Sequence, residues 1–276
     1  MDSNPRRCIN IKTDHLRSMT ILDKIIEYKR KEVAERKERV SVQELEQQPF
    51  YQRPVLSLQQ FLLDETRTGI IAEFKRKSPS KGIINDKADV VAVTSAYAQN
   101  GASGLSVLTD EHFFGGSTAD LIEARVNQVP ILRKDFMVDE YQMVEARAMG
   151  ADVILLIAAC LTPAEVKRLA AFATSLQLEV LLELHAEEEL EHICDETKLV
   201  GINNRNLKTF EVNIERSLKM AERIPADKIK IAESGISSVT NIRLFKEHGF
   251  RGFLIGENFM KEAQPGEAFH KFIAQL

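Results

Sequence analysis

The sequence predicts an α/β fold, a (βα)8 TIM barrel preceded by an extra N-terminal helical segment. Eight short apolar runs recur between Ile70 and Ile255, roughly 20 to 35 residues apart, which is the rhythm that eight strand–helix units require. The stretches between the runs carry helix-capping residues at the right offsets. A doubly wound sheet would alternate in the same way, but no Gly-rich dinucleotide fingerprint follows the first run, and the barrel is preferred.

The chain changes character at Met19. Residues Met1–Ser18 are polar, carry Arg6 and Arg7 and show no sustained periodicity. Residues 1–18 are therefore expected to be a disordered tail, and 19–276 a single barrel domain whose helical extension covers 19–68. Thr20 is placed to cap a helix with Asp23 at its third position, and Ile21, Leu22, Ile25, Ile26 and Val33 follow at near-helical spacing.

Strands are predicted at Ile70–Ala72, Leu105–Leu108, Pro130–Leu132 and Val153–Ile157, then at Val180–Leu182, Leu199–Ile202, Ile229–Ala232 and Phe253–Ile255. Their near-continuous apolar character marks strands buried on both faces. Thr162-Pro163-Ala164-Glu165 combines an N-cap, a first-turn Pro and a capping-box Glu, and Ser117 precedes Asp120 at the same spacing. Gly101, Gly150 and Gly249 stand where helix C-caps belong.

A chain of 276 residues, 44% of them hydrophobic, can bury enough apolar surface to fold without a disulfide or a metal. Cys8, Cys160 and Cys194 are odd in number and share no zinc or nucleophile spacing, so they read as buried filler. A net charge of −4 with no basic stripe argues against a nucleic-acid partner, while leaving room for a local phosphate pocket. No run approaches the roughly 20 apolar residues of a membrane span, and no signal-type leader is evident, so a cytoplasmic protein without a membrane partner is expected. The six histidines lack metal spacing and only His185 falls near a strand end. Neither a metal site nor histidine-based acid–base chemistry is expected.

Catalytic groups of a barrel stand at the C-terminal strand ends and in the loops beyond them. Strand one ends in Glu73-Phe74-Lys75 and runs into Arg76-Lys77-Ser78-Pro79-Ser80-Lys81-Gly82; strand three ends in Arg133-Lys134-Asp135. Glu183 ends strand five, Asn203-Asn204-Arg205 strand six, Glu233-Ser234-Gly235 strand seven and Gly256-Glu257 strand eight. Strand alternation puts Glu73 and Lys75 on one face, toward the lumen, and Phe74 toward the helices. Solvation explains any single strand-end charge, but several of both signs at one end of one apolar barrel point to a site, because unpaired burial would be costly. Gly235 and Gly256 permit close backbone approach in the two loops where this fold recurrently binds phosphate. The polar, basic loop from Ser78 to Gly82 is long enough to close over an anion.

Ile71-Ala72-Glu73-Phe74-Lys75-Arg76-Lys77-Ser78-Pro79-Ser80-Lys81-Gly82 resembles the signature of indole-3-glycerol phosphate synthases. The likeness continues in Leu105-Ser106-Val107-Leu108-Thr109, Phe113-Phe114-Gly115-Gly116-Ser117 and Pro130-Ile131-Leu132-Arg133-Lys134-Asp135-Phe136. It returns in Leu182-Glu183, Gly201-Ile202-Asn203-Asn204-Arg205-Asn206-Leu207, Ala232-Glu233-Ser234-Gly235-Ile236 and Leu254-Ile255-Gly256-Glu257. It runs from about Met19 to the C-terminus, and the helical segment before strand one is similar to the family's extra helix, which covers the substrate. The resemblance implies a carboxy-lyase of tryptophan biosynthesis that needs no cofactor. Its substrate would be the phosphorylated small molecule 1-(2-carboxyphenylamino)-1-deoxyribulose 5-phosphate, and its products indole-3-glycerol phosphate, CO2 and water. The chain is expected to act as a monomer.

Carried over position by position, the resemblance makes Lys134 the principal general acid and Lys75 a second acid. Glu183 and Glu73 would serve as base and electrostatic partner, with Asn203 and Glu233 orienting substrate and lysines. Ser78, Arg205, Gly235, Gly256 and the backbone around Ser234 and Glu257 would hold the phosphate. Pro79, Phe114, Phe136, Leu155 and Leu207 would surround the aromatic ring. Some relatives have Ser where this chain has Glu257, and a carboxylate would repel a phosphate dianion, so only its backbone N–H is expected to contribute. Two neighbouring ammonium groups would lower each other's pKa, with the nearby glutamates opposing this. The nearest rivals, phosphoribosylanthranilate isomerase and the tryptophan synthase α-subunit, would lack the Glu-x-Lys pair followed by Ser-Pro-Ser and the leading helix. A catalytically silent barrel acting as a binding protein would be expected to lose a lumen lysine or carboxylate.

Overall fold

Eight parallel strands close into a barrel: β1 (Ile70–Phe74), β2 (Gly104–Leu108), β3 (Ile131–Lys134), β4 (Val153–Ile157), β5 (Glu179–Leu184), β6 (Leu199–Asn203), β7 (Ile229–Glu233) and β8 (Phe250–Ile255). The structure is a computed structural model and describes residues 20–206 and 209–276. The tail expected over 1–18 lies outside the described residues. Each strand pairs with its sequence neighbour, and β8 returns to β1 with Ile70 opposite Phe253. All eight apolar runs are strands. Several extend past the run that announced them: β3 continues through Arg133 and Lys134, β5 through Glu183 and β7 through Glu233. The ladder is a backbone property and does not stop where side chains become charged.

Two apolar layers follow from strand alternation. Outward-facing residues such as Ile70, Ala72 and Phe74 pack under the surrounding helices. Inward-facing residues, among them Ile71, Leu132, Val153, Leu155, Ile157, Leu181, Leu199 and Ile231, fill the lumen. Leu58 and Leu62 of the short helix Leu58–Leu63 join this inner cluster and plug the barrel from its N-terminal end. The lumen is thus packed below, and a cavity opens toward the C-terminal strand ends.

Helix α1 (Ile21–Arg39) starts at Thr20, whose hydroxyl accepts the Asp23 N–H while the Asp23 carboxylate accepts the Thr20 N–H. This is the capping box read from the sequence. Thr162 and Glu165 form the same box before the helix Pro163–Ser175, and Ser117 caps the helix Thr118–Ala124. Gly101, Gly150 and Gly249 all adopt positive φ at helix C-termini. The loop after β1 is more ordered than a plain loop: Lys77–Ser78 pairs antiparallel with Gly82–Ile83, making a small hairpin with Pro79, Ser80 and Lys81 at its tip. No described helix is long and apolar enough to cross a membrane.

Candidate active site

The strand ends open into a cavity of about 310 Å³. Its wall contains Glu73, Lys75, Lys134, Glu183, Asn203 and Glu233, the six residues singled out for chemistry. The side chains form two ion pairs. Lys134 Nζ donates to Glu183 Oε2 at 3.1 Å, and Lys75 Nζ lies 2.7 Å from Glu73 Oε1. Asn203 Nδ2 donates to Glu183 Oε1 at 3.0 Å, and the Ser106 hydroxyl donates to Glu73 Oε2 at 3.3 Å.

Burial penalises the Lys134 ammonium, but Glu183, Glu233 and Glu73 outweigh it and raise the lysine above its ordinary value. The carboxylates therefore set the balance at Lys134, against any lowering by a second lysine. Burial would also raise Glu183, yet Lys134, His185 and Asn203 hold it well below the usual carboxylate range. Glu233 moves the other way, raised well above that range by burial and then by the charge of Glu183. The site accordingly offers a charged acid in Lys134, a charged carboxylate in Glu183 and, in Glu233, a carboxyl that keeps its proton longer than Glu183 does.

An aromatic wall stands on one side. Phe114 and Phe136 face each other with ring centroids 5.9 Å apart, and Pro79 on the hairpin tip joins them in the lining. Leu155 does not line the cavity. It is buried in the lumen layer, opposite Leu181, and Ile157 one layer higher, opposite Glu183, forms that part of the wall. Leu207 lies outside the described residues. From above, Ile21, Leu22 and Ile25 of α1 complete the lining, as expected of a helix that packs on the barrel top.

Ser78, Arg205, Ser234, Gly235, Gly256 and Glu257 also line the cavity and make up its candidate phosphate end. Ser234 (φ 66) and Gly235 (φ 69) are successive left-handed residues, and the Ser234 carbonyl accepts from Asn204 Nδ2 at 2.7 Å. A non-glycine in that region costs on the order of 1–3 kcal/mol and persists where the surroundings impose it. Both glycines have steric reasons beyond a ligand. A Cβ on Gly235 would come within 2.3 Å of Val212 Cγ1, and one on Gly256 within 2.7 Å of Glu73 Oε1. The Glu257 carboxylate turns to Lys81 (3.5 Å) and Arg205 (3.7 Å), the basic groups of this end.

Inorganic phosphate is expected to compete with substrate here, and Gly235→Val to abolish that competition, through both the left-handed backbone and the Val212 contact. Inhibition constants for phosphate check this; unchanged inhibition in a folded variant would move the phosphate site to the Lys81 hairpin.

One wall residue was passed over by the sequence reading. His185 Nε2 lies 2.9 Å from Glu183 Oε1 inside the lining. The signal was available, since His185 is two residues beyond Glu183 and so shares its face.

The model of the family described as indole-3-glycerol phosphate synthase matches residues 22–272. The chain belongs to the indole-3-glycerol phosphate synthase family. An indole-3-glycerol phosphate synthase of Bacteroides thetaiotaomicron is 47% identical over 257 residues, covering 93% of this chain and 98% of the relative. One from a Polaromonas species is 46% identical, covering 93% and 97%. Among solved structures, a mutant tryptophan synthase α-subunit of Pyrococcus furiosus aligns with a TM-score of 0.57 at 16% identity, over 76% of this chain and 99% of that one. A 3-hexulose-6-phosphate synthase aligns with a TM-score of 0.56 at 13% identity, over 75% and 99%. At these identities the two show a common fold alone, whereas the family match runs from Leu22 and so takes in the helical segment.

Proposed function

We propose that this chain catalyses the reaction its family is named for, converting 1-(2-carboxyphenylamino)-1-deoxyribulose 5-phosphate to indole-3-glycerol phosphate, CO2 and water. The observation that carries the reading is the placement of two lysine–glutamate pairs between an aromatic wall and a basic, left-handed loop. The substrate has the same order of parts: an aryl ring, a reacting ketone and a phosphate.

The ring packs on Phe114, Phe136 and Pro79, and the phosphate meets Ser78, Arg205 and the backbone of Ser234, Gly235, Gly256 and Glu257. As the carboxylate-bearing aryl carbon attacks the C2 carbonyl, a C–C bond forms and Lys134 delivers a proton to the ketone oxygen. CO2 then leaves, and its bonding pair returns to the ring. In the last step Lys75 protonates the C2 hydroxyl, which departs as water, while Glu183 takes a proton from C1 and the indole double bond forms. Glu73 pairs with Lys75; Asn203 and Glu233 hold substrate and lysines in place. A positioned acid or base of this kind typically supplies about 10²–10⁴-fold of rate. The free thiols of Cys160 and Cys194 fit the reducing cytoplasm.

Addition of the anilino-deoxyribulose phosphate tests the reading. The indole product should appear by absorbance or fluorescence with one CO2 released per indole. Absence of product in wild-type protein would refute it.

The helical cover makes a second expectation. A truncation starting at Met19 should keep full activity, whereas one starting near Glu38 should raise KM and lower kcat together. The longer deletion removes Ile21, Leu22 and Ile25 from above the cavity and admits water to the reacting centre. Steady-state kinetics and melting temperatures of the two decide it; equal activity would mean that α1 is no cover.

A further inference from the structure

We propose that Lys29 is a positioning residue for this site, fastening the covering helix and the aromatic wall to the strand end that carries Lys134. The proposal rests on the synthase reading above. A lysine on a surface helix is ordinarily solvated. Lys29 is 0% exposed, although it sits on α1 one turn beyond Ile25. Its Nζ lies 2.6 Å from Glu32 on the same helix, 2.8 Å from Asp110 after β2 and 2.9 Å from Asp135 after β3.

Both barrel carboxylates have a second partner in the wall of the cavity. Asp110 Oδ1 accepts the N–H groups of Phe113 and Phe114 at 2.8 and 3.1 Å. Asp135, which follows Lys134 directly, accepts the Phe136 N–H at 2.8 Å. Phe114 and Phe136 are the ring wall, so one ammonium links their two supports to the helix overhead.

The charges around Lys29 close into a ring of alternating sign. Glu32 pairs with Arg36 at 2.5 Å, Arg36 with Glu145 at 3.3 Å, Glu145 with Arg133 at 3.2 Å, and Arg133 with Asp135 at 3.2 Å, which returns to Lys29. Burial would raise the Asp135 carboxyl, but Lys29 and Arg133 hold it down to about 2, so it stays ionised. Burying such a set is tolerable only when every member is paired, and removing one partner strands the others. The ring therefore fixes α1 at one place along its length, and Ile21, Leu22 and Ile25 are set over the cavity from there. The residues assigned to the phosphate, Ser78, Arg205, Ser234, Gly235, Gly256 and Glu257, have no part in these contacts.

Wild type, Lys29→Met, Lys29→Arg and Lys29→Met with Asp110→Asn should be compared for turnover, melting temperature and competitive inhibition by two probes, 2-aminobenzoate and inorganic phosphate. The double variant neutralises a stranded carboxylate yet keeps an Oδ1 acceptor for Phe113 and Phe114, so it reports even if the single variant does not fold. Both methionine variants should bind 2-aminobenzoate at least about tenfold more weakly and raise KM, with phosphate inhibition changed less than about twofold, since small displacements far from the chemistry carry effects of this size. Lys29→Arg should restore most of the 2-aminobenzoate inhibition. Equal weakening of both probes, no weakening of either, or failure of both methionine variants to fold would make Lys29 a structural peg and overturn the proposal. Wild type inhibited by neither probe would instead overturn the synthase reading.

Discussion

Lys134→Ala is expected to lower kcat by about 10²–10⁴-fold, equivalent to about 3–5 kcal/mol of barrier, with a melting temperature close to wild type. The fold should survive because Lys134 ends β3 at the cavity, with its ammonium on Glu183 rather than in the core. Glu183 retains Asn203 and His185 as neighbours after the change. What disappears is the proton for the ketone oxygen. Steady-state kinetics on the purified variant measure this, and activity within a few-fold of wild type would pass the acid role to Lys75.

Glu183→Gln should depress kcat far more than it raises KM. The amide keeps the shape of the side chain but cannot take a proton, and the NH2 that replaces one oxygen accepts no hydrogen bond, so either Lys134 or Asn203, which donate to different oxygens of the carboxylate, loses its acceptor. Loss of the base and a loosened acid both act on turnover. An effect falling mainly on KM would make Glu183 a binding residue and Glu73 the better base.

Much of the site could be read from the chain because a barrel converts sequence position into spatial position. Lys134, Asn203 and Glu233 each close a strand, Glu73 and Glu183 are next to last in theirs, and strand ends meet at one rim. Height along a strand is harder to read than face. Leu155 and Ile157 share the lumen side, and only the cross-strand register sets Ile157 level with Glu183 and Leu155 a layer below. Lys29 was invisible for another reason. Its burial depends on Asp110 and Asp135, which lie far along the chain, and a lysine on a helix gives no local sign of such partners. Gly235 was recognised for its conformational freedom, but the Val212 contact that enforces it arises between two loops. The hairpin after β1 has no sequence signal because two-residue strands are too short to show alternation.

The structure of a complex with the substrate analogue whose C2 ketone is reduced to a hydroxyl tests the assignment most directly, since that group marks the position of the reacting oxygen. Lys134 Nζ should lie about 3 Å from the C2 hydroxyl, within reach for proton transfer. The ring should rest on Phe114 and Phe136 and the phosphate on the backbone at Gly235 and Gly256. A hydroxyl bonded to Lys75 with Lys134 out of reach, or a phosphate lying against the aromatic wall, would contradict the account.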